Sequence, residues 1–142
     1  MGAKLNYKIN LKTDVITKPA TQAFVEYTRI LYNQFGEEFQ DDKWIWPRET
    51  KRKNGRTAGV IRDIVDTGEL MNSQRLDYRF GKTTAIFSWT TPYAGYVLTG
   101  FITSKGNEYP GRNWIKSGIS KARPTRYISQ ALKYKLARTS KT

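Results

Sequence analysis

The chain has no cysteine and no histidine among its 142 residues. Without cysteine it forms no disulfide and no thiolate metal site. Without histidine it lacks the usual general base, the Ser-His and Cys-His dyads and the commonest metal ligand. Any catalysis would have to run on Asp, Glu, Lys, Tyr or Ser. Acids are scarce as well: 12 Asp and Glu stand against 25 Lys and Arg, a net charge of +13. No run approaches the ~20 apolar residues of a membrane span. The opening Met1-Gly2-Ala3-Lys4-Leu5-Asn6 has no hydrophobic signal region, and Asn6 stands where a myristoylation motif carries Ser or Thr. These absences predict a protein made and used in a cytoplasm, with no membrane partner. The length predicts one domain that buries about 68–70% of its unfolded surface without staples.

What charge there is lies unevenly. Residues 37–42 hold four acids, Glu37, Glu38, Asp41 and Asp42. Residues 48–62 hold six bases, Arg48, Lys51, Arg52, Lys53, Arg56 and Arg62, against Glu49 alone. From Tyr109 onward there are nine bases and no acid. Such a field attracts polyanions or acidic protein surfaces and repels its own copies.

Leu5, Tyr7, Ile9 and Leu11 alternate with polar residues, which predicts a half-buried strand whose lysines suit an exposed sheet edge. A neighbouring subunit could pair with such an edge. Thr17 and Pro19 open a helix whose face is Phe24, Tyr27, Leu31 and Phe35, with Gly36 as its stop. Residues 40–59 then read as a long irregular loop, Trp-rich and basic, of the kind that is usually functional or mobile. Its Trp44 and Trp46 pack either on the chain's own core or on a partner, since Trp and Arg dominate interface hot spots. Val60–Val65 fits a strand or a helical turn. Leu76, Tyr78 and Phe80, then Ala85, Phe87 and Trp89, alternate around Gly81-Lys82 as a β-hairpin with a two-residue connection. Pro92 opens a short helix over about 93–98, closed by Gly100. A loop follows over 101–109. Pro110 opens a helix over about 111–121, broken at Arg123-Pro124. Tyr127, Ile128, Ala131, Leu132 and Leu136 predict a further basic C-terminal helix, with a tail, over about 125–142. The fold class expected is α+β, a small antiparallel sheet flanked by helices.

Two constellations could carry metal chemistry. Asp63, Asp66 and Glu69 are oxygen donors close in sequence, but their spacing is not that of a calcium loop; Asp66 or Thr67 capping the next helix accounts for them more simply. Glu49-Thr50-Lys51 is a Glu-x-Lys triplet of the kind found in magnesium-dependent nucleases, with Asp41 or Asp42 as the acid it would need. No phosphate-binding glycine loop and no nucleophile elbow is present. Neither metal site is favoured and no cofactor is expected. Nucleic-acid binding is the stronger rival: bases interleave with Trp44, Trp46, Trp114, Tyr127 and Tyr134, which suits stacking and phosphate neutralisation. No specific nucleic-acid motif appears, so binding of this kind would be non-specific.

Three islands remain. They are Thr67-Gly68-Glu69-Leu70 with Ser73, Tyr93-Ala94-Gly95-Tyr96-Val97 ending at Gly100, and Pro110-Gly111-Arg112 before Asn113-Trp114, with Trp89 between the first two. In this order they resemble the neck, or tail-completion (head-tail joining), proteins of tailed bacteriophages. The resemblance covers residues 60–122 best. It implies a non-enzymatic virion protein of the head-tail junction, made in the host cytoplasm. Its copies would form a ring, a hexamer or dodecamer, docked on portal or connector above and tail below, around the channel where genomic DNA passes. In this reading Trp44, Trp46, Arg48, Lys51, Arg52, Lys53, Arg112 and Trp114 meet partners. Thr67, Gly68, Leu70, Trp89, Tyr93, Tyr96, Gly100 and Pro110 shape the domain. Arg112, in the first turn of a helix, is badly placed for the helix dipole; it is either simply solvated or meets an acceptor, such as a neighbour's carboxylate or carbonyls.

Overall fold

A computed structural model describes residues 3–52, 55–65 and 68–140. The fold is α+β. Strand β1, Ala3–Leu11, buries Leu5, Tyr7, Ile9 and Leu11 on one face, as its alternation requires. Helix α1, Lys18–Gln40, crosses that face. Thr17 caps it, Oγ1 accepting from the Ala20 amide at 3.2 Å, with Pro19 in its first turn. The helix does not stop at Gly36. One glycine costs a helix only about 1 kcal/mol, and the last turn carries Phe39 and Glu38, both fully buried beyond it.

After α1 the chain folds back on itself as a two-tier ribbon. In the outer tier β2, Trp44–Ile45, pairs with β5, Ile61–Arg62; in the inner tier β3, Thr50–Lys51, pairs with β4, Thr57–Ala58. The segment expected to be irregular is therefore paired, and 60–65 contributes a two-residue strand. Strands this short leave no alternation to read.

Helix α2, Glu69–Asn72, leads to β6, Arg75–Arg79, and β7, Thr84–Trp89. This is the expected hairpin with a longer connection. Phe80, Gly81 and Lys82 all take left-handed backbone, and Phe80 leaves the strand, 81% exposed. Helix α3, Ala94–Thr99, runs into β8, Gly100–Ile102, which pairs with β9, Glu108–Pro110. The expected loop over 101–109 is thus a small hairpin, turned through Thr103–Asn107, with the Thr103 amide donating to the Asn107 carbonyl at 2.9 Å. Pro110 ends that strand instead of opening a helix. Helix α4, Trp114–Lys121, begins after Asn113, whose Oδ1 accepts from the Lys116 amide at 2.9 Å.

Helix α5, Arg126–Gln130, is brief, and β10, Leu132–Ser140, replaces the expected C-terminal helix. Ile128, Ala131, Leu132 and Leu136 fit a helix, but Leu132-Lys133-Tyr134-Lys135-Leu136 alternates equally well. Pairing with β1, from Leu11↔Leu132 to Ala3↔Ser140, decides for the strand. Thr139 and Ser140, expected in a frayed tail, end that ladder; residues 141 and 142 lie outside the described residues. The main sheet runs β10-β1-β7-β6, all antiparallel. Hence β1 is central and both its edges are used; the expected edge strand for a neighbour is not there. Alternation marks a strand with one buried face wherever it stands in an antiparallel sheet.

The core lies between this sheet and α1. Phe35 meets Phe87 and Trp89 at ring-centroid distances of 5.2 and 5.6 Å. Trp114 fits between Trp89 at 5.4 Å and Phe39 at 4.9 Å. Helix α4 comes close enough to α1 that a Cβ on Gly118 would lie 2.5 Å from the Phe35 ring. A polar clasp holds the same two helices. Buried Glu38 accepts from Gln34 at 2.8 Å, from Lys43 and from Ser117 of α4, and Lys121 lies 3.2 Å away. Burial alone would raise its carboxyl, but these donors reverse the effect and hold it at about 2.

A candidate interaction cleft around Arg112

Beside the clasp, the end of β9 delivers Arg112 to the surface. Arg112 precedes the α4 cap residue, so it is not in the helix, and its placement owes nothing to the helix dipole. Its amide donates to the Val97 carbonyl of α3 at 2.8 Å. Two glycines make this approach possible. A Cβ on Gly100, where φ is +84°, would lie 2.6 Å from the Gly111 amide nitrogen. One on Gly111 would lie 2.7 Å from the Leu98 carbonyl oxygen. Any side chain at either position would push α3 and the Arg112 segment apart.

The Arg112 guanidinium lies over the Trp46 ring, 4.3 Å from its centroid, and Arg62 approaches the same ring at 5.5 Å. Trp46 stacks on Tyr109 at 5.0 Å, and Tyr109 stacks on Phe101 at 4.9 Å. These groups wall a cleft of about 580 Å³. Its lining draws on all three islands: Gly68 and Leu70 from the first, Tyr93 and Val97 from the second, Arg112 from the third. The ribbon adds Trp46, Lys51, Arg52 and Arg62.

The three arginines differ in how they are used. Arg62, 7% exposed, donates to the Gly59, Arg48 and Ala58 carbonyls and to the Thr50 hydroxyl, and so ties both tiers of the ribbon together. Arg52 pairs with Asp63 at 2.7 Å and donates to the Asp63 and Val65 carbonyls. Arg112 makes no hydrogen bond or ion pair among the described residues through its side chain, and its Nε is buried without a partner. Burial, then the nearby charges of Arg62 and Arg52, lower its pKa to about 10, while Asp63 opposes the shift. It stays protonated at neutral pH, a cation with no carboxylate bonded to it among the described residues and a planar fork of donors unused. The arrangement is built to hold an anion, above all a carboxylate or phosphate oxygen pair.

The sequence-derived site residues divide. Trp46, Lys51, Arg52 and Arg112 line the cleft, and exposed Arg48 reaches its rim, donating to the Tyr109 hydroxyl at 3.3 Å. Trp44 packs at home, its indole donating to the Glu38 carbonyl at 2.8 Å. Trp114 is fully buried against Phe39 and Trp89, and so is a core residue and not a partner anchor. Lys53 and Thr67 lie outside the described residues. Gly68 caps α2 in left-handed backbone, φ 84°, and Leu70 is buried. Trp89 is buried and donates to Gln74 at 2.9 Å. Tyr93 and Tyr96 are 38% and 55% exposed, while Ala94, Gly95 and Leu98 are the buried residues of α3 and Val97 packs against the core.

Asp66, of the candidate metal triad, also lies outside the described residues. Asp41, of the candidate nuclease set, faces Lys121 at 3.3 Å and Lys43 at 3.8 Å within the clasp. Among the described residues no three metal-ligating side chains gather, and no helix is long and apolar enough to cross a membrane. Sequence reasoning missed Tyr109 and Phe101 as cleft walls. Tyr109 stands directly before Pro110-Gly111-Arg112, and that adjacency was the available signal. No family model matches the chain, and no curated protein or solved structure matches it significantly.

Proposed function

We propose that the chain is a structural subunit of the phage head-tail junction, acting by assembly and not by catalysis, with the Arg112 cleft as one of its contact surfaces. The observation that carries this reading is the convergence of the three islands. Motifs separated along the chain by residues 74–92 and 101–109, and alike in order to those of neck and tail-completion proteins, border one cleft around one arginine without an ion pair among the described residues. A ring joining portal or connector to tail needs such recessed, shape-defining contacts between its parts. Strand β1 is spent inside the sheet, so strand addition by a neighbour would use the open edges, β10 or β6.

In a phage encoding this chain, particles assembled without it should accumulate as filled heads and separate tails. Normally joined virions in its absence would contradict the assignment. The excess of basic residues supports a second reading, a basic nucleic-acid-binding protein without sequence preference. That reading predicts a fall in DNA affinity of about 10³–10⁵ between ~50 and ~200 mM salt, as for six to ten phosphate contacts.

A further inference from the structure

We infer that the Arg112 cleft receives a carboxylate from the acidic turn, residues 37–42, of a second copy of this chain. The inference rests on the ring-forming reading above and names the two surfaces that would meet. The cleft supplies one half. Arg112 forms no ion pair among the described residues, its Nε is shielded from water, and the cations Arg62 and Arg52 act on it more strongly than Asp63 does. The walls around it are largely apolar: Trp46, Phe101, Tyr109, Val97, Leu70 and Met71 line the same cleft. A recessed cation within such walls suits a protein contact with a buried charge pair.

The acidic turn supplies the other half. Of its four carboxylates, Glu38 is consumed by the clasp and Asp41 faces Lys121 and Lys43. Glu37 and Asp42 are exposed and form no ion pair among the described residues. They are unpaired acids on a chain of net charge +13, where any self-association must overcome repulsion. Placing one against Arg112 of the next copy joins two different surfaces, the head-to-tail geometry that closes rings. It also puts attraction where the like-charged copies most need it.

The test is sedimentation of the purified full chain at low salt over a range of concentration. The variants are Arg112→Glu, Glu37→Arg with Asp42→Arg, and all three together. The wild type should self-associate. Each charge reversal should weaken association at least about thirtyfold, the scale expected when a buried charge loses its partner. The combined variant should recover most of it. Arg112→Glu lowers the net positive charge, so loss of association there cannot come from greater repulsion. The acidic-turn variants change exposed residues, which keeps the test decisive if Arg112→Glu fails to fold. Association of the wild type that none of the variants alters would overturn this inference and leave the ring reading standing. A wild type that stays monomeric at every concentration would overturn both. Association that appears only with an added oligonucleotide would give the cleft to nucleic acid and likewise overturn the inference.

Discussion

Glu38 is fully buried yet surrounded by donors from Gln34, Lys43, Ser117 and Lys121. Arg112 is half-buried and has no hydrogen-bond or ion-pair partner among the described residues. A charge so well satisfied serves the fold; one left wanting implies a ligand. The Glu38 case has a pH signature. Its carboxyl is held at about 2, below the ordinary value of 4.5. Its contribution to stability is therefore complete above about pH 4.5 and is lost as the pH falls towards 2. Glu38→Gln should cost about 3–5 kcal/mol at neutral pH, the scale for breaking a buried ion pair. Thermal melts of the two proteins should converge as the pH approaches 2. A gap that stays constant from pH 7 to pH 2 would show that the carboxylate is not the group that matters.

Among the elements, those with a periodic buried face could be read before the structure. The alternation of β1, the three- and four-residue steps of α1 and the β6–β7 pair all follow from which side chains must leave water. Where β1 sits could not be read, because alternation is the same for a central and an edge strand. The C-terminal segment was ambiguous in kind: the same leucines satisfy both periods, and only β1 as a partner selects the strand. The ribbon and the β8–β9 hairpin were invisible because pairs of two or three residues carry no period. The cleft was half legible. Trp46, Lys51, Arg52 and Arg112 stood out by composition, whereas Tyr109 and Phe101 become walls only through the folding of β8 onto β9. These differences in support should appear in hydrogen exchange. Amides of β1, bonded on both sides in the sheet, should exchange at least about a hundredfold more slowly than those of β2, β3, β4 and β5, whose pairings are only two residues long. Equal protection in the two regions would mean that the ribbon is part of the cooperative core.

For the whole molecule the governing fact is +13 on 142 residues. That charge sets copies of the chain against one another until an acidic surface offsets it. On this account the surfaces that meet are already on the chain. Aromatic side chains wall a recessed arginine at one site, and exposed acids stand at another. Assembly then reflects local complementarity that outweighs global repulsion, and it weakens when either local charge is reversed.

The absence of cysteine makes the central claim directly measurable. A double variant, Asp42→Cys with Thr103→Cys, carries one thiol on the acidic turn and one in the cleft lining. Under mild oxidation it should give a ladder of disulfide-linked copies extending beyond the dimer, while each single variant gives at most a dimer. A double variant that cross-links no further than its single parents would contradict the proposed contact between turn and cleft.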